Sequence, residues 1–444
     1  MSQAPRARFI DILQEFSIPL LSGVAVAMLA ANLAPDWYAH AVHWKPFGDI
    51  ALFGHELTLH FIVNDLFMVF FFGIAAKEIT ESCLPGGALN PPAKALNPLM
   101  ATLGGVVGPV GVFFAGLSVL FAIGVYSPEL HDRAALTRGW GVPTATDIAL
   151  AWLVARGVFG KGHPAVNFLL LVAVADDAIG LVIIAVFYGD PAHPVQPQFL
   201  LLTLAGMAAA LAMRRAGVRH WLPYLAVGGP LAWCGLVVAH LHPALALVFI
   251  VPFLPGPRRD TGLFKDEDEV DRMGDALAHD LHFEHSPLHQ FEHQMKFFVD
   301  FGLFFFSFTQ AGVVLADIGP MTWLILGSLV IGKTLGISLL GIIAMRLGFP
   351  LPDRMGIREL VMAGYVAALG LTVALFVATA AFEDPTLLGQ GKMGALFSGF
   401  VGLTAVAAGR ALGMHRPRAQ PPLGASGDRA SARTDPRPAR AAED

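Results

Sequence analysis

Two adjacent aspartates, Asp176 and Asp177, lie in the middle of the apolar stretch LLLVAVADDAIGLVIIAVFYG. Neighbouring residues of a helix point about 100° apart, so one carboxylate can face a cavity while the other faces a neighbouring helix. Two carboxylates this close do not easily both ionise, and a charge is costly to bury in lipid. We therefore expect the pair to hold a proton or a cation near neutral pH. The structural alternative is a pair neutralised by a neighbouring cation or hydroxyl.

A second set of polar groups lies in the string GWGVPTATDIALAW. Pro143 interrupts this apolar segment, because proline lacks an amide donor and breaks the helical ladder. Backbone groups freed at membrane depth are tolerated where they face protein or a water-filled cavity. There Thr146 offers a hydroxyl oxygen, and the Asp147 carboxylate can offset the positive end of a half-helix. Because TATD is also a good capping string, a purely structural helix cap is the alternative for Asp147.

The octapeptide GSLVIGKT, which contains Lys333, matches the G-x-x-x-x-G-K-[ST] pattern of phosphate-binding loops. Such a loop follows a strand and opens a helix at a water-facing edge, whereas both flanks here are apolar and of membrane-spanning length. We therefore expect neither a nucleotide nor a nucleic acid as a partner. A lysine inside the bilayer requires an acidic neighbour, and either Asp176 or Asp177 is expected to supply it.

The elements that position these residues follow from composition. The chain has 444 residues, of which 55% are hydrophobic and 14% charged, and its mean hydropathy is +0.61. Soluble domains carry about 25% charged residues. Apolar runs recur along the chain and give about twelve membrane-spanning helices by length. The expected fold is an all-α polytopic membrane protein with one transmembrane domain, residues 1–413, in contact with the lipid bilayer.

The distribution of basic residues predicts the orientation. Cytoplasmic loops carry an excess of lysine and arginine. If the N-terminus with its Arg6 and Arg8 is cytoplasmic, most basic residues of the short loops also fall inside. The loops on the outer side then hold four basic residues, namely Lys45, Arg133, Arg138 and Lys392. Both termini are therefore expected to be cytoplasmic.

Three segments outside the spans have distinct compositions. Residues 44–57 alternate polar and apolar side chains, which predicts a short β-hairpin on the outer side. Because exposed strand edges pair with other chains, we expect a homodimer through this hairpin. Residues 255–294 form a long charged loop on the inner side, and residues 414–444 are rich in Arg, Ala, Pro and Asp and are predicted to be disordered.

Other ionisable residues lie near the span ends. Asp65 is near the outer end of the second span, where it could line a funnel, and Lys77, Glu78 and Glu81 are near its inner end. The string HDLHFEHSPLHQFEHQMK contains five histidines, which titrate near neutral pH. It is consistent with a pH sensor, a weak metal site or a solvated loop, and its spacing does not decide between them.

These strings, in this order, resemble the NhaA family of sodium/proton antiporters. The resemblance covers roughly Leu13 to Gly413 and depends on GWGVPTATDIALA, VADDAIGLVIIAVFY, IGKTLGISL, FIVNDLFMVFF and AGYVAALGLTVALFVATAAF. It implies twelve spans with inverted repeats, in which the fourth and eleventh helices are unwound and cross at mid-membrane. The eleventh helix is expected to break near Gly370, Leu371 and Thr372.

The same resemblance implies roles for the polar residues and an activity. Asp177 becomes the main cation and proton site, with Asp176 as its neighbour and Thr146 as a ligand, while Asp147 and Lys333 compensate the half-helix ends. The implied activity is electrogenic exchange of cytoplasmic Na⁺ or Li⁺ for external H⁺ across a bacterial inner membrane, without a cofactor. A potassium/proton exchanger or a sodium-coupled organic-anion symporter of similar fold is the alternative. An intramembrane aspartyl protease is disfavoured because its YD and GxGD strings are missing, so no enzyme activity is expected.

The chain departs from the family at the inner end of the second span. The usual GLEVKRE reads GIAAKEITE here, and FANAGV of the ninth helix reads FTQAGV. The resemblance therefore implies pH sensing only through Glu78, Glu292 and His293.

Overall fold

The computed structural model describes residues 17–414, except 54, 85–86, 88, 91, 130, 190–193 and 257–285. Most of the predicted loop 255–294, with His279, His282 and His285, lies outside the described residues. The predicted tail lies outside them from residue 415 onward.

The described part of the chain consists of helices connected by short turns. In chain order they are α1 (Ile18–Leu33), α2 (Pro35–Val42), α3 (Leu59–Ser82), α4 (Pro92–Ala122), α5 (Arg133–Thr144), α6 (Ile148–Phe159), α7 (Pro164–Phe187), α8 (Pro197–Arg215), α9 (Trp221–Val238), α10 (Pro243–Phe253), α11 (Pro287–Gln310), α12 (Pro320–Arg346), α13 (Ile357–Val366), α14 (Leu371–Ala381) and α15 (Pro385–Ala411).

Several of these helices are long and apolar enough to cross a membrane. Among the described residues, seven pass by length and composition, namely α3, α4, α7, α8, α9, α12 and α15. Two bent pairs, α5 with α6 and α13 with α14, raise the number to as many as nine if each pair is one span. The protein is therefore an all-α, multi-pass membrane protein, as the composition predicted.

Local sequence explains where the helices begin. At the start of α7, the His163 side chain accepts a hydrogen bond from the amide of Ala165 at 3.1 Å, and Pro164 occupies the first helical position. Ser286 caps α11 in the same way by accepting from the amide of His289. Helix α11 thus includes residues up to 294 that the sequence analysis assigned to the cytoplasmic loop. The prediction of a loop up to residue 294 was wrong for this part, because Ser-Pro starts the helix before the apolar run begins.

A short antiparallel strand pair lies between α2 and α3. Strand β1 (Ala51–Leu52) pairs with β2 (His55–Glu56). Lys45 donates hydrogen bonds to Glu56 at 2.8 Å and to Asp49 at 3.1 Å, and these bonds raise the pKa of the Lys45 ammonium. Each strand has two paired residues, and the pair lies within residues 44–57.

Glycines let α4 and α12 pack backbone against backbone. A methyl group at Gly104 or at Gly336 would collide with the carbonyl oxygen of the other residue. A methyl group at Gly332 would in turn collide with the backbone of Pro109. The whole GSLVIGKT string is helical within α12, where Gly332 serves helix packing and Lys333 is fully buried in the protein interior. The structural context of a phosphate-binding loop is absent from this string.

Candidate ion-exchange site

Two broken helix pairs meet at the centre of the protein. The α5–α6 pair bends by 49° and the α13–α14 pair by 50°. The amide of Asp147 donates to the carbonyl of Leu369 at 2.6 Å, and the Thr146 hydroxyl donates to the carbonyl of Ala367 at 2.9 Å. Backbone groups freed by one break are thus satisfied by the other, as buried backbone polar groups require.

Asp147 caps two helix starts at this crossing. One carboxylate oxygen accepts from the amide of Leu150 at 3.1 Å in α6, which makes Asp147 the N-cap of that helix. The other oxygen accepts from the amide of Thr372 at 3.2 Å and from its hydroxyl, in the first turn of α14. An anion at the positive ends of two helices is electrostatically favourable. The structure thus shows that Asp147 caps both helices, and its role in compensating the charge of the half-helix ends stays a prediction.

Lys333 lies between α7 and α5–α6 and is fully buried. Its ammonium donates to Asp176 at 2.5 Å and to the Thr146 hydroxyl at 2.7 Å. Of the two aspartates that the sequence offered as partners, the structure thus selects Asp176. Thr146 faces this ammonium directly, which the sequence analysis did not anticipate. An ion pair neutralises both charges and makes their burial tolerable.

Asp177 stands apart from this ion pair. It is partly buried and lines a cavity together with Phe72, Ala75, Leu181, Ile184 and Val373. Among the described residues, its Oδ1 atom has no hydrogen-bond partner. A carboxylate in an apolar cavity with an unsatisfied oxygen can take up either a proton or a small cation. The neighbouring pair of Asp176 and Lys333 contributes little net charge.

The predicted break of the eleventh helix is placed slightly too late in the sequence. The helix ends at Val366 and restarts at Leu371, so the break covers residues 367–370. Gly370 belongs to it, whereas Leu371 and Thr372 form the first turn of α14. The amide of Gly370 donates to the Ser398 hydroxyl at 3.1 Å, a contact that no sequence signal indicated. Ala367 and Leu369 contain no helix-breaking side chain, so the break there depends on tertiary contacts.

A second charged cluster lies near the C-terminal end of α3. Lys77 is buried and forms ion pairs with both Glu81 and Glu292, and so ties α3 to α11. Glu78 interacts electrostatically with Lys77 and Glu292, and also with Asp177. We call Lys77, Glu78, Glu81 and Glu292 the α3–α11 charge cluster. The sequence analysis named these residues but did not predict that Glu292 joins the others.

The remaining predicted residues lie apart from both clusters. His293 is exposed on α11, and its ring centroid is 6.5 Å from that of His289. Asp65 is in α3, and its backbone carbonyl accepts from the Trp233 indole at 3.0 Å. Among the described residues, no group of three or more His, Cys, Asp or Glu side chains has the arrangement of a metal site.

Comparisons with known proteins identify the family. The model of a family described as Na⁺/H⁺ antiporter 1 matches residues 7–410. The chain belongs to this family. A Na(+)/H(+) antiporter NhaA of Geobacter sulfurreducens is 57% identical over 407 residues, covering 92% of this chain and 98% of the relative. The NhaA antiporters of Geobacter metallireducens and Desulfitobacterium hafniense are 56% and 55% identical, each over 92% of this chain and over 98% and 97% of the relatives.

Membership of the family places the site in context. The matched residues include the two broken pairs, the aspartate pair and Lys333. The relatives are described as antiporters, which are transporters rather than enzymes. The resemblance that the motifs predicted is thereby confirmed.

Proposed function

We propose that this chain exchanges cytoplasmic Na⁺ or Li⁺ for external H⁺ by alternating access and serves sodium and pH homeostasis. The observation that carries the proposal is Asp177, a carboxylate with an unsatisfied oxygen in a cavity beside the crossing of two broken helices. The identity of 57% to an antiporter over nearly the whole chain supports the same activity. Exchange is electrogenic in this proposal, as the aspartate pair implied.

In the proposed mechanism, a proton and a cation compete for the same carboxylate. Asp177 loses its proton and binds the cation, with Asp176 and Thr146 as the further ligands. Lys333 bonds Oδ2 of Asp176 and the Thr146 hydroxyl, while Oδ1 of Asp176 has no hydrogen-bond partner among the described residues and is the oxygen that Asp176 would offer to the cation. A difference in affinity between the inward- and outward-facing states then sets the direction of transport.

The proposed architecture has twelve spans with inverted repeats. Among the described residues, up to nine spans are long and apolar enough to cross a membrane if each bent pair counts as one. Three further helices, α1, α10 and α11, complete the twelve, and the broken pairs then become the fourth and eleventh spans. We place both termini in the cytoplasm and the protein in a bacterial inner membrane, on the strength of the basic residues in the loops.

The α3–α11 charge cluster is the proposed site of pH regulation. Glu78 and Glu292 are the members for which the family resemblance implies pH sensing, and His293, the third such residue, is exposed one residue beyond Glu292. Because Lys77 bonds two carboxylates from two helices, protonation of either would loosen the contact between α3 and α11. The electrostatic interaction of Glu78 with Asp177 provides the link to the ion site.

A homodimer through the hairpin is part of the proposal. Exposed apolar side chains surround the strand pair, and these are Trp44, Phe47, Ile50, Leu52 and Phe53. An exposed apolar patch with open strand edges favours contact with a second copy.

Transport in everted membrane vesicles tests the proposed activity. A pH-sensitive dye reports dissipation of a preformed pH gradient after Na⁺, Li⁺, K⁺ or an organic anion is added. Dissipation with Na⁺ or Li⁺ alone is expected. Dissipation with K⁺ alone, or uptake of an organic anion with Na⁺, would replace the proposal by the corresponding alternative. Among the residues that the structure describes, no basic side chain lines the cavity beside Asp177, which argues against an organic anion there.

A further inference from the structure

Helix α14 connects the ion site to a second group of polar residues, two of which are buried and two half-buried. Thr372 in its first turn bonds Asp147, and Thr379 lies seven residues further, which is two turns along the same face. The Thr379 hydroxyl donates to Gln310 Oε1 at 2.7 Å. The face of α14 that touches the ion site therefore continues to Gln310 at the end of α11.

Gln310 is fully buried and its amide group bonds three helices together. Its Nε2 atom donates to Asn64 Oδ1 at 3.0 Å and lies 3.4 Å from His60 Nε2. Both of these partners belong to α3, while Thr379 belongs to α14. We call His60, Asn64, Gln310 and Thr379 the outer cluster. Four polar side chains among membrane helices are costly to bury and usually mark an ion or proton path.

An aromatic side chain separates the outer cluster from the ion site. Phe376 lies four residues after Thr372 and three before Thr379, which is about 6 Å and about 4.5 Å along the helix axis. It is fully buried, and its ring centroid lies 4.9 Å from that of Phe72 and 4.5 Å from that of His242. The rings of Phe72 and Phe376 are close to perpendicular, at 75°. Their contact is an apolar block between two polar regions.

The cavity at Asp177 reaches Phe72, one of the two aromatic residues of this block. It follows α7 from Asp177 past Leu181 and Ile184, which lie on the next two turns towards the C-terminal end of the helix. Phe72 and Val373 line the cavity from α3 and α14. Phe72 thus lines the cavity and also packs against the ring of Phe376.

We propose that Phe72 and Phe376 form the outer gate of the ion path, and that the outer cluster lines the vestibule through which the ion passes outside this gate. The inference rests on the proposed function and orientation, which place the end of α14 at Ala381 on the outer side. Opening requires only that the two rings separate, because polar groups are already present on both sides.

The chemistry of the outer cluster suits passage of a cation more than its retention. Asn64, Gln310 and Thr379 offer neutral oxygen atoms, which are the ligands that hard cations prefer. The buried Lys392 interacts electrostatically with His60 and adds a positive charge nearby. A cation that has passed the gate is therefore coordinated weakly and released.

Accessibility of engineered thiols tests the gate without requiring transport. In a background with Cys83→Ser and Cys234→Ser, single cysteines are placed at Val373, inside the gate, and at Thr379, outside it. A membrane-impermeant, positively charged methanethiosulfonate is added to right-side-out vesicles. Thr379→Cys is expected to react, and Val373→Cys to react slowly. Because a closed gate leaves the open state populated at about 10% or less, adding Phe376→Ala should speed the reaction at Val373→Cys by about tenfold or more.

Two further variants make the result decisive. Phe72→Ala removes the other half of the gate and should have the same effect as Phe376→Ala. Phe305→Ala removes a phenylalanine that is 51% exposed on α11 and should leave the rate unchanged. The gate is refuted if neither Phe376→Ala nor Phe72→Ala speeds the reaction at Val373→Cys, or if Thr379→Cys does not react from outside. Na⁺-dependent proton movement in the same cysteine-free background tests the proposed function separately.

Discussion

The buried ion pair between Lys333 and Asp176 assigns different tasks to two adjacent carboxylates. Asp176 Oδ2 is held by Lys333 at 2.5 Å, while Asp177 has no such cation partner and lines a cavity. The Oδ1 atom of each aspartate lacks a hydrogen-bond partner among the described residues. The sequence predicted both aspartates and the lysine, because each charge is costly in lipid. It could not predict that Thr146 would receive the second hydrogen bond of Lys333, since that contact depends on the backbone path through the break.

Changing Lys333 to Met should destabilise the protein by leaving Asp176 charged and unpaired. Breaking a buried ion pair costs about 3–5 kcal/mol. The measurement is thermal unfolding of the purified protein in detergent. Adding Asp176→Asn to Lys333→Met should recover most of the lost stability, because the asparagine at position 176 carries no charge. Equal instability of the single and double variants would show that the charge is not the cause.

Changing Glu292 to Gln should shift the pH dependence of exchange. Lys77 would keep one carboxylate instead of two, and the contact between α3 and α11 would lose one of its ion pairs. The exchange activity of everted vesicles is measured from about pH 6 to pH 9. This range includes the ordinary pKa values of histidine and cysteine. His293→Gln changes an exposed neighbour and is expected to shift the profile less. If the profile of Glu292→Gln matched that of the unchanged protein, pH sensing by this cluster would be wrong.

Among the elements, the two broken helix pairs form one unit. Each break supplies groups that satisfy the other, through Thr146, Asp147 and the carbonyls of residues 367 and 369. Pro143, which lies just before the break at residues 145–147, signalled the first break in the sequence. The second break begins at Ala367, where no residue is a helix breaker, so its start was predicted too late.

A substitution at Gly370 tests how closely the breaks of the two helix pairs must approach each other. A Cβ atom there would lie 2.8 Å from the carbonyl oxygen of Ala145, so Gly370→Ala should push the breaks apart. Overpacking of this kind costs about 1–3 kcal/mol in stability, and we expect a larger relative loss of Na⁺ affinity. The concentration of Na⁺ that gives half-maximal exchange is the measurement.

Gly111→Ala is the matched control for this prediction. A Cβ atom at Gly111 in α4 would meet no other atom within 4 Å. The Gly111→Ala substitution should change neither the stability of the protein nor the Na⁺ concentration that gives half-maximal exchange. Equal behaviour of the two variants would contradict the requirement for close approach of the breaks.

For the whole molecule, composition alone was sufficient to predict a multi-pass helical membrane protein. The helical start of α11 was missed because the charged, histidine-rich string was taken as a loop. The Ser286–Pro287 pair is a capping signal that could have located it. The contacts between distant helices, such as that of Glu292 with Lys77, have no signal in a single sequence.

The hairpin makes a prediction about assembly. Phe47 and Ile50 are 63% and 56% exposed, and changing both to Ser should shift a dimer towards the monomer. Light scattering after size-exclusion chromatography in detergent measures the mass. Leu347→Ser, at a residue that is 62% exposed beyond the end of α12, is the control and should leave the mass unchanged. If the Phe47 and Ile50 variant kept the same mass as a dimeric unchanged protein, the hairpin would not be the dimer contact.

The most direct test of the central claim is proton movement by the Asp177→Asn variant. The asparagine has nearly the same shape but carries no charge and no exchangeable carboxyl proton. Everted vesicles that contain this variant should show no dissipation of a preformed pH gradient on addition of Na⁺ or Li⁺, while the unchanged protein at the same membrane content does. Dissipation by the variant at the rate of the unchanged protein would contradict the assignment of Asp177 as the shared site of the cation and the proton.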